Sequence, residues 1–233
     1  MPISPAMESL LPLNPSGAAP SADDARDLVE EAYSTLLDMI QRGQIPINQP
    51  LQERNLAGAL GVSRTPLREA MSRLIGGGFA VRTARGQLIV PEPTLRQYLE
   101  IFQMRLLLEG DAAAAAATRM APEQATAILD QVREIKRRQH SSHEENHRLD
   151  NLLHDSIAQA SGNRLMAQAI HDLRIKARCF DQNGAPERLI PGCDEHIAIL
   201  EAILEGKPEA ARAAMHTHLT NVRAGLVARH THI

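Results

Sequence analysis

Residues 61 to 73 read Gly-Val-Ser-Arg-Thr-Pro-Leu-Arg-Glu-Ala-Met-Ser-Arg, and no other stretch constrains the fold as strongly. Gly61 ends one helix, Ser63 suits the N-cap of the next, and Pro66 falls in that helix's first turn, where a missing N–H costs little. Leu67, Ala70, Met71 and Leu74 then share an inward face; Thr65, Arg68, Glu69 and Ser72 share an outward one. The preceding helix covers about Glu53 to Leu60 and buries Leu56 and Leu60. Two short helices joined by a tight turn make a helix-turn-helix pattern.

The flanking segments complete that pattern. Asp23 to about Arg42 reads as a helix with Leu28, Ala32, Leu36, Met39 and Ile40 near one stripe, and Gly43 stops it. Ile45-Pro-Ile-Asn-Gln-Pro is an extended connector, because its prolines exclude helix. After Gly76-Gly-Gly, residues 79–83 and 87–90 flank Ala84-Arg85-Gly86 as a hairpin of two short strands. Three helices and a hairpin predict a winged helix-turn-helix over residues 22–92, with Pro91 and Pro93 punctuating its end.

No strand pattern follows Pro93. Thr94 caps a predicted helix through Met120, and others are expected over about 122–139, 144–160, 164–180, 194–204 and 208–228. Gly162-Asn163, Asn183-Gly184, Pro191-Gly192 and Gly206-Lys207 are the expected breaks. Residues 93–233 therefore predict an all-α antiparallel bundle, and the chain as a whole is mainly α. The low aromatic content, 2%, suits packed helices better than a sheet sandwich. The first 21 residues, rich in Pro, Ala and Ser and without a basic start, are expected to be a disordered tail and not a signal peptide. No 18-residue apolar run occurs, so no membrane span is expected. Cys179 and Cys193 lie far apart and are expected to be reduced thiols of a cytoplasmic protein.

The net charge of -3 hides an asymmetry. Residues 40–90 hold seven arginines (42, 54, 64, 68, 73, 82 and 85) against two acids, Glu53 and Glu69. A locally basic module on an acidic remainder is what a specific DNA reader needs. Arg64 and Arg68 lie one turn apart at the start of the third helix beside Ser63 and Thr65, and such groups suit phosphates and guanine edges. Arg54 opens the preceding helix, the usual place for a backbone contact, and Arg85-Gly86 at the hairpin tip suits the minor groove. The competing reading is a solvated arginine face. For Arg73, a pair with Glu69 four residues earlier is an equal alternative.

The segment from Leu51-Gln-Glu-Arg-Asn-Leu through Arg64-Thr-Pro-Leu-Arg-Glu-Ala70 resembles the winged-helix domain of GntR-family bacterial regulators, and the resemblance spans nearly all of residues 25–90. It implies operator contact through Arg54, Ser63, Arg64, Thr65, Arg68, Arg85 and Gly86. Two departures stand out. Ile47-Asn48 replaces the usual Pro-Gly, and Asn still accepts a left-handed turn. Gly76-Gly-Gly replaces a more polar helix end and is expected to loosen the link to the wing.

In the second half, Asp150 and His154 share a helix face flanked by Leu153 and Ile157. His196 lies on a stripe with Ile199, Leu200 and Ile203, and His218 among Ala211, Ala214, Met215 and Val222. Polar groups pointing into a bundle need partners. Three imidazoles and a carboxylate can converge on one divalent ion; three separately satisfied histidines are the equal alternative from periodicity alone. The spacing, Asp-x3-His followed by gaps of 41 and 21 residues to the next two histidines, resembles the metal site of the GntR subfamily with an FCD domain. Met104-Arg-Leu-Leu-Leu-Glu109, the Ala160-Ser-Gly-Asn163 ending and Ala213-Ala-Met-His-Thr-His-Leu219 match as well, so this resemblance covers about residues 94–228.

The resemblance implies a metal held by Asp150, His154, His196 and His218, with zinc or nickel favoured and manganese or iron also suited to the donors. It implies a small organic acid beside the metal, with Arg105 as its partner; Arg174 and Arg178 are weaker candidates for which a surface role is as good a reading. His143, His147, His216, His230 and His232 read as exposed. The expectation is a ligand-responsive homodimeric regulator, a repressor, on a near-palindromic operator in duplex DNA, and not an enzyme. A metal-dependent enzyme and a direct metal sensor remain the alternatives from the same Asp/His set.

Overall fold

The computed structural model describes residues 22–180 and 186–231. The expected tail over residues 1–21, the Asn183-Gly184 break, His232 and the side chain of His230 lie outside the described residues. The chain divides into two compact units between Pro93 and Thr94.

The first unit holds α1 (Ala22–Gln41), α2 (Glu53–Leu60), α3 (Arg64–Gly76), β1 (Val81–Arg82) and β2 (Leu88–Ile89). α3 packs on α1 and α2. Leu36 and Ile40 of α1 meet Leu67, Ala70 and Leu74 of α3 in a fully buried core, as the apolar stripes require. Gly61 takes φ 65 after α2, the left-handed cap that turns the chain into α3. β1 and β2 are antiparallel, with Val81 opposite Ile89 and Arg82 opposite Leu88. Each strand has only two residues, shorter than the alternation predicts, because part of the pairing goes elsewhere. The connector before α2 runs beside β2: the Asn48 N–H donates to Val90 O at 2.8 Å and the Leu51 N–H to Leu88 O at 2.7 Å. Asn48 adopts φ 59, the left-handed turn expected of it.

The glycine run after α3 is packed and not loose. The Gly77 N–H donates to Arg73 O at 2.8 Å, and the Phe79 N–H to Leu74 O at 2.9 Å. A Cβ on Gly77 would lie 2.8 Å from the Phe79 ring. Glycine here lets a buried aromatic close over the helix end, so the expected slack is replaced by a specific contact.

The second unit holds α4 (Leu95–Arg119), α5 (Pro122–Arg138), α6 (His143–Ala160), α7 (Arg164–Phe180), a 3-10 turn (Pro186–Arg188), α8 (Leu189–Leu204) and α9 (Pro208–Thr231). Thr94 and Gln97 form a reciprocal capping box at the start of α4. α4 packs against α6, α7, α8 and α9, while α5 packs against α6 and α8. Ala112, Ala113 and Ala116 of α4 are almost wholly buried, and such small side chains permit close helix approach. α8 starts at Leu189, five residues before the sequence predicts. Pro191 is therefore in its first turn, where its missing N–H has no intrahelical acceptor to lose, and Pro191-Gly192 is not a break. Among the described residues no helix is long and apolar enough to cross a membrane.

Candidate functional site

The first unit presents an exposed polar face at the entry to α3. Ser63 occupies the N-cap with extended backbone, yet its hydroxyl makes no capping hydrogen bond, contrary to the role its residue type suggests. The helix start keeps its free amide groups, a ready anion site. Arg54, Ser63, Arg64, Thr65, Arg68, Arg85 and Gly86 are all exposed. Gly86 takes φ 76 at the tip of the hairpin, where a side chain would be strained. Arg68 Nε donates to Glu53 Oε2 at 2.8 Å. Arg73 pairs with neither DNA-facing groups nor Glu69: it donates to Glu30 of α1 at 2.7 Å and lies 4.1 Å over the Tyr33 ring. A carboxylate and a ring on the packed helix outweigh an i,i+4 pair worth only tenths of a kcal/mol. Arg73 thus ties α3 to α1.

In the second unit, α6, α8 and α9 bring Asp150, His154, His196 and His218 together, with one donor atom of each within 4.8 Å of the others. The α6 heptad supplies Asp150 and His154 one turn apart, with Leu149, Leu153 and Ile157 fixing that face inward. Asp150 Oδ1 lies 3.6 Å from His154 Nε2 and 3.6 Å from His196 Nε2. Two of the three Nδ1 atoms are spoken for. His154 Nδ1 meets Glu109 Oε2, and His218 Nδ1 meets Glu195 Oε2 at 2.9 Å. A carboxylate on Nδ1 selects the Nδ1–H tautomer and leaves Nε2 as a lone pair.

Burial dominates the electrostatics. It pushes His154 down to about 4, with Arg174 repelling the proton further, and His196 down to about 3, with His218 adding to it. Burial lowers His218 as well. Asp150 is pulled upward by burial, but Arg174 and the three histidines outweigh this and hold it well below the usual carboxylate range. The cluster is therefore one ionised carboxylate among three neutral imidazoles, with Nε2 of His154 and of His218 left as lone pairs. Nε2 of His154 and Nε2 of His196 are buried without any hydrogen-bond partner. Acceptors facing an acceptor is an arrangement that a cation completes, and the donor set of three nitrogens and one oxygen fits a borderline divalent ion.

The groups behind the cluster were not assigned from sequence. Glu109 holds Arg105 Nε at 2.6 Å with one oxygen and His154 with the other. Glu195 accepts from Arg188 at 2.6 Å and Asn221 at 2.7 Å besides His218. Arg174, for which a surface role was an equal reading, is 4% exposed and donates to Asp150 Oδ2 at 2.6 Å. Its burial follows from α7 packing against α6 and α4. His143 is exposed and His147 half-buried, and neither joins the cluster. His216 is exposed as expected. Cys179 and Cys193 are free thiols. A cavity of about 180 Å³ opens beside the cluster, walled by Tyr98, Phe102, Arg105, Arg178 and Arg188 as well as Asp150, His196 and His218.

A winged helix-turn-helix with an exposed cationic helix entry, followed by a helical unit with an inward polar cavity, defines a DNA-binding transcriptional regulator. Two family matches bear this out: bacterial regulatory proteins of the gntR family over residues 28–90, and the FCD domain over residues 100–221. The chain belongs to the GntR family of bacterial transcriptional regulators, with an FCD domain as its second part. It is 27% identical over 239 residues to the Glc operon transcriptional activator of Escherichia coli K12, covering 88% of this chain and 91% of that protein. It is 25% identical over 187 residues to the "Probable D-xylose utilization operon transcriptional repressor" of Paenarthrobacter nicotinovorans, covering 77% and 80%. The solved structure of E. coli McbR/YncC shares the fold, with a TM-score of 0.76 and 22% identity over 87% of this chain and 98% of that one. The family and these relatives are regulators and not enzymes.

Proposed function

We propose that the protein is a cytoplasmic homodimeric repressor that binds a near-palindromic operator and releases it when a small carboxylate metabolite occupies a cavity centred on a divalent metal ion. Asp150, His154, His196 and His218 would hold the ion, zinc or nickel best, manganese or iron as further fits. When bound, it supplies a Lewis-acid position for a carboxylate oxygen. The observation that carries this reading is the pair of partnerless, buried Nε2 atoms facing Asp150. Glu109 and Glu195 orient His154 and His218 for that role. Arg105, at the cavity wall, is the candidate partner of the acid, its planar fork matching a carboxylate.

In the reading head, Arg54, Ser63, Thr65 and Arg68 would hold phosphates. Arg64 would read a base edge, and Arg85 with Gly86 would enter the minor groove. The name of the Paenarthrobacter relative supports repression. Leu99, Met104 and Leu107 are exposed apolar groups on α4, 37%, 47% and 65%, and supply surface for a second copy to cover. The cavity with its arginines favours a metabolite sensor over a sensor of the metal alone.

Metal analysis of the purified chain and of His196→Ala tests the site, followed by operator gel shifts of the metal-loaded protein with a panel of small acids. The expected result is about one ion per chain, lost in the variant, and release of DNA that requires both metal and acid. A chain that takes up no ion refutes the metal reading. Release by metal alone converts it into a metal sensor.

A further inference from the structure

We propose that the cavity takes a short dicarboxylic acid, one carboxylate at the metal cluster and the second at Arg178; this rests on the metal-centred reading above. The five arginines of the cavity wall, Arg105, Arg174, Arg178, Arg188 and Arg229, carry the argument. Arg105 is matched by Glu109, Arg174 by Asp150 and Arg188 by Glu195, each pair within 2.6 Å, and Arg229 by Glu187 at 3.2 Å. Arg178 has no such carboxylate among the described residues. Its Nη1 donates to the amide oxygen of Asn151, which also accepts from Arg174, so the two guanidinium groups are held side by side. Its Nε is buried without a hydrogen-bond partner.

A half-buried guanidinium without an anion, beside a second cation, is an unfavourable arrangement that an incoming anion relieves. Burial, together with repulsion from Arg174, pushes its pKa down to about 10, so it stays charged at neutral pH. Four neutral pairs leave Arg178 as the uncompensated charge of the wall, and a divalent ion at the cluster would add two more positive charges. A monocarboxylate leaves most of that excess in place; a dicarboxylate removes the larger part. Tyr98, Phe102 and Leu149 give the same cavity apolar lining, which suits a carbon chain. About 180 Å³ is well under the ~300–1,000 Å³ of drug-sized pockets, which limits the chain to a few carbons.

The test is calorimetric titration of the metal-loaded full chain with acid pairs that differ only in the second carboxylate: succinate against butyrate, glutarate against pentanoate, malate against 3-hydroxybutyrate. At least one diacid should bind about tenfold or more tighter than its partner, the size of a charge-assisted bond in a buried site. In Arg178→Gln the ratio should fall to near one. Arg178→Lys, which keeps the charge and loses the fork, should retain a reduced preference, and this second variant keeps the test valid if the glutamine variant misfolds. Equal binding of both members in every pair, no binding of any acid, or an undiminished preference in Arg178→Gln overturns the proposal. Metal-dependent binding of monoacids with no diacid preference overturns only the second anion site. A chain that cannot be loaded with metal overturns the metal-centred reading beneath it.

Discussion

Arg68 and Glu53 of the DNA-reading unit meet at 2.8 Å with side chains 64% and 39% exposed. Arg105 and Glu109 of the helical unit meet at 2.6 Å with side chains 7% and 2% exposed. The chemistry is identical and the physical meaning opposite. The first pair sits in high dielectric, is screened by salt, and under the proposed function would yield to an arriving phosphate. The second has left water altogether, and removing one partner strands a charge in the core. A reading surface needs cations that exchange partners freely. A ligand chamber needs cations held in one place before the ligand comes.

The strongest challenge to this contrast is Glu109→Ala. It removes the counter-charge of Arg105 and the orienting partner of His154 together, and should cost about 3–5 kcal/mol in urea unfolding; an unchanged midpoint would show the buried pair to be as dispensable as the exposed one. Acid provides the next test. In the metal-free protein the folded pKa values of His154, about 4, and His196, about 3, lie below the ordinary 6.5. The unfolded chain then binds protons that the folded chain refuses, so stability is full above pH 6.5 and falls as the pH drops toward 4 and 3. Asp150 and Glu109, held below the usual range, act in the same direction at lower pH. The loss is about 3 kcal/mol for His154 alone, and unfolding measured between pH 7 and pH 4 should show it in the helical unit. A flat profile would mean that the imidazoles are not buried neutral.

Arg64→Ala should weaken specific operator binding by about 1–3 kcal/mol at fixed salt, with little effect on unfolding. Equal affinity would take Arg64 out of the interface. Smallest of all, Glu53→Gln frees Arg68 and should change stability by less than ~1 kcal/mol. A larger loss would mean that the exposed pair is structural after all.

How much was legible in the sequence differs between the same two regions. α2 could be read to its ends because an apolar pair and a glycine cap bound it. The four converging side chains were legible as inward positions on three helices, since periodicity reports facing. Their carboxylate partners were not. Glu195 pairs with His218 across 23 residues, and Glu109 with His154 across 45; no local pattern records such distances. A hint did exist in α4, where Arg105 and Glu109 are spaced i,i+4 on the buried face of an alanine-rich helix. The partner of Arg73 is hidden for the same reason: Glu69 is only one of two equal readings from sequence, and Glu30 is near only after α1 and α3 pack. The start of α8 was misread because a proline looks like a stop unless it is known to fall in a first turn.

Glu109 touches Arg105 with one oxygen and His154 with the other, so three residues on two helices are satisfied through a single side chain. Replacing Glu109 abandons the other two at once, whereas replacing Arg105 or His154 leaves one of its contacts in place. Over evolutionary time Arg105 or His154 can drift singly, but Glu109 should change only where both of its neighbours have changed with it.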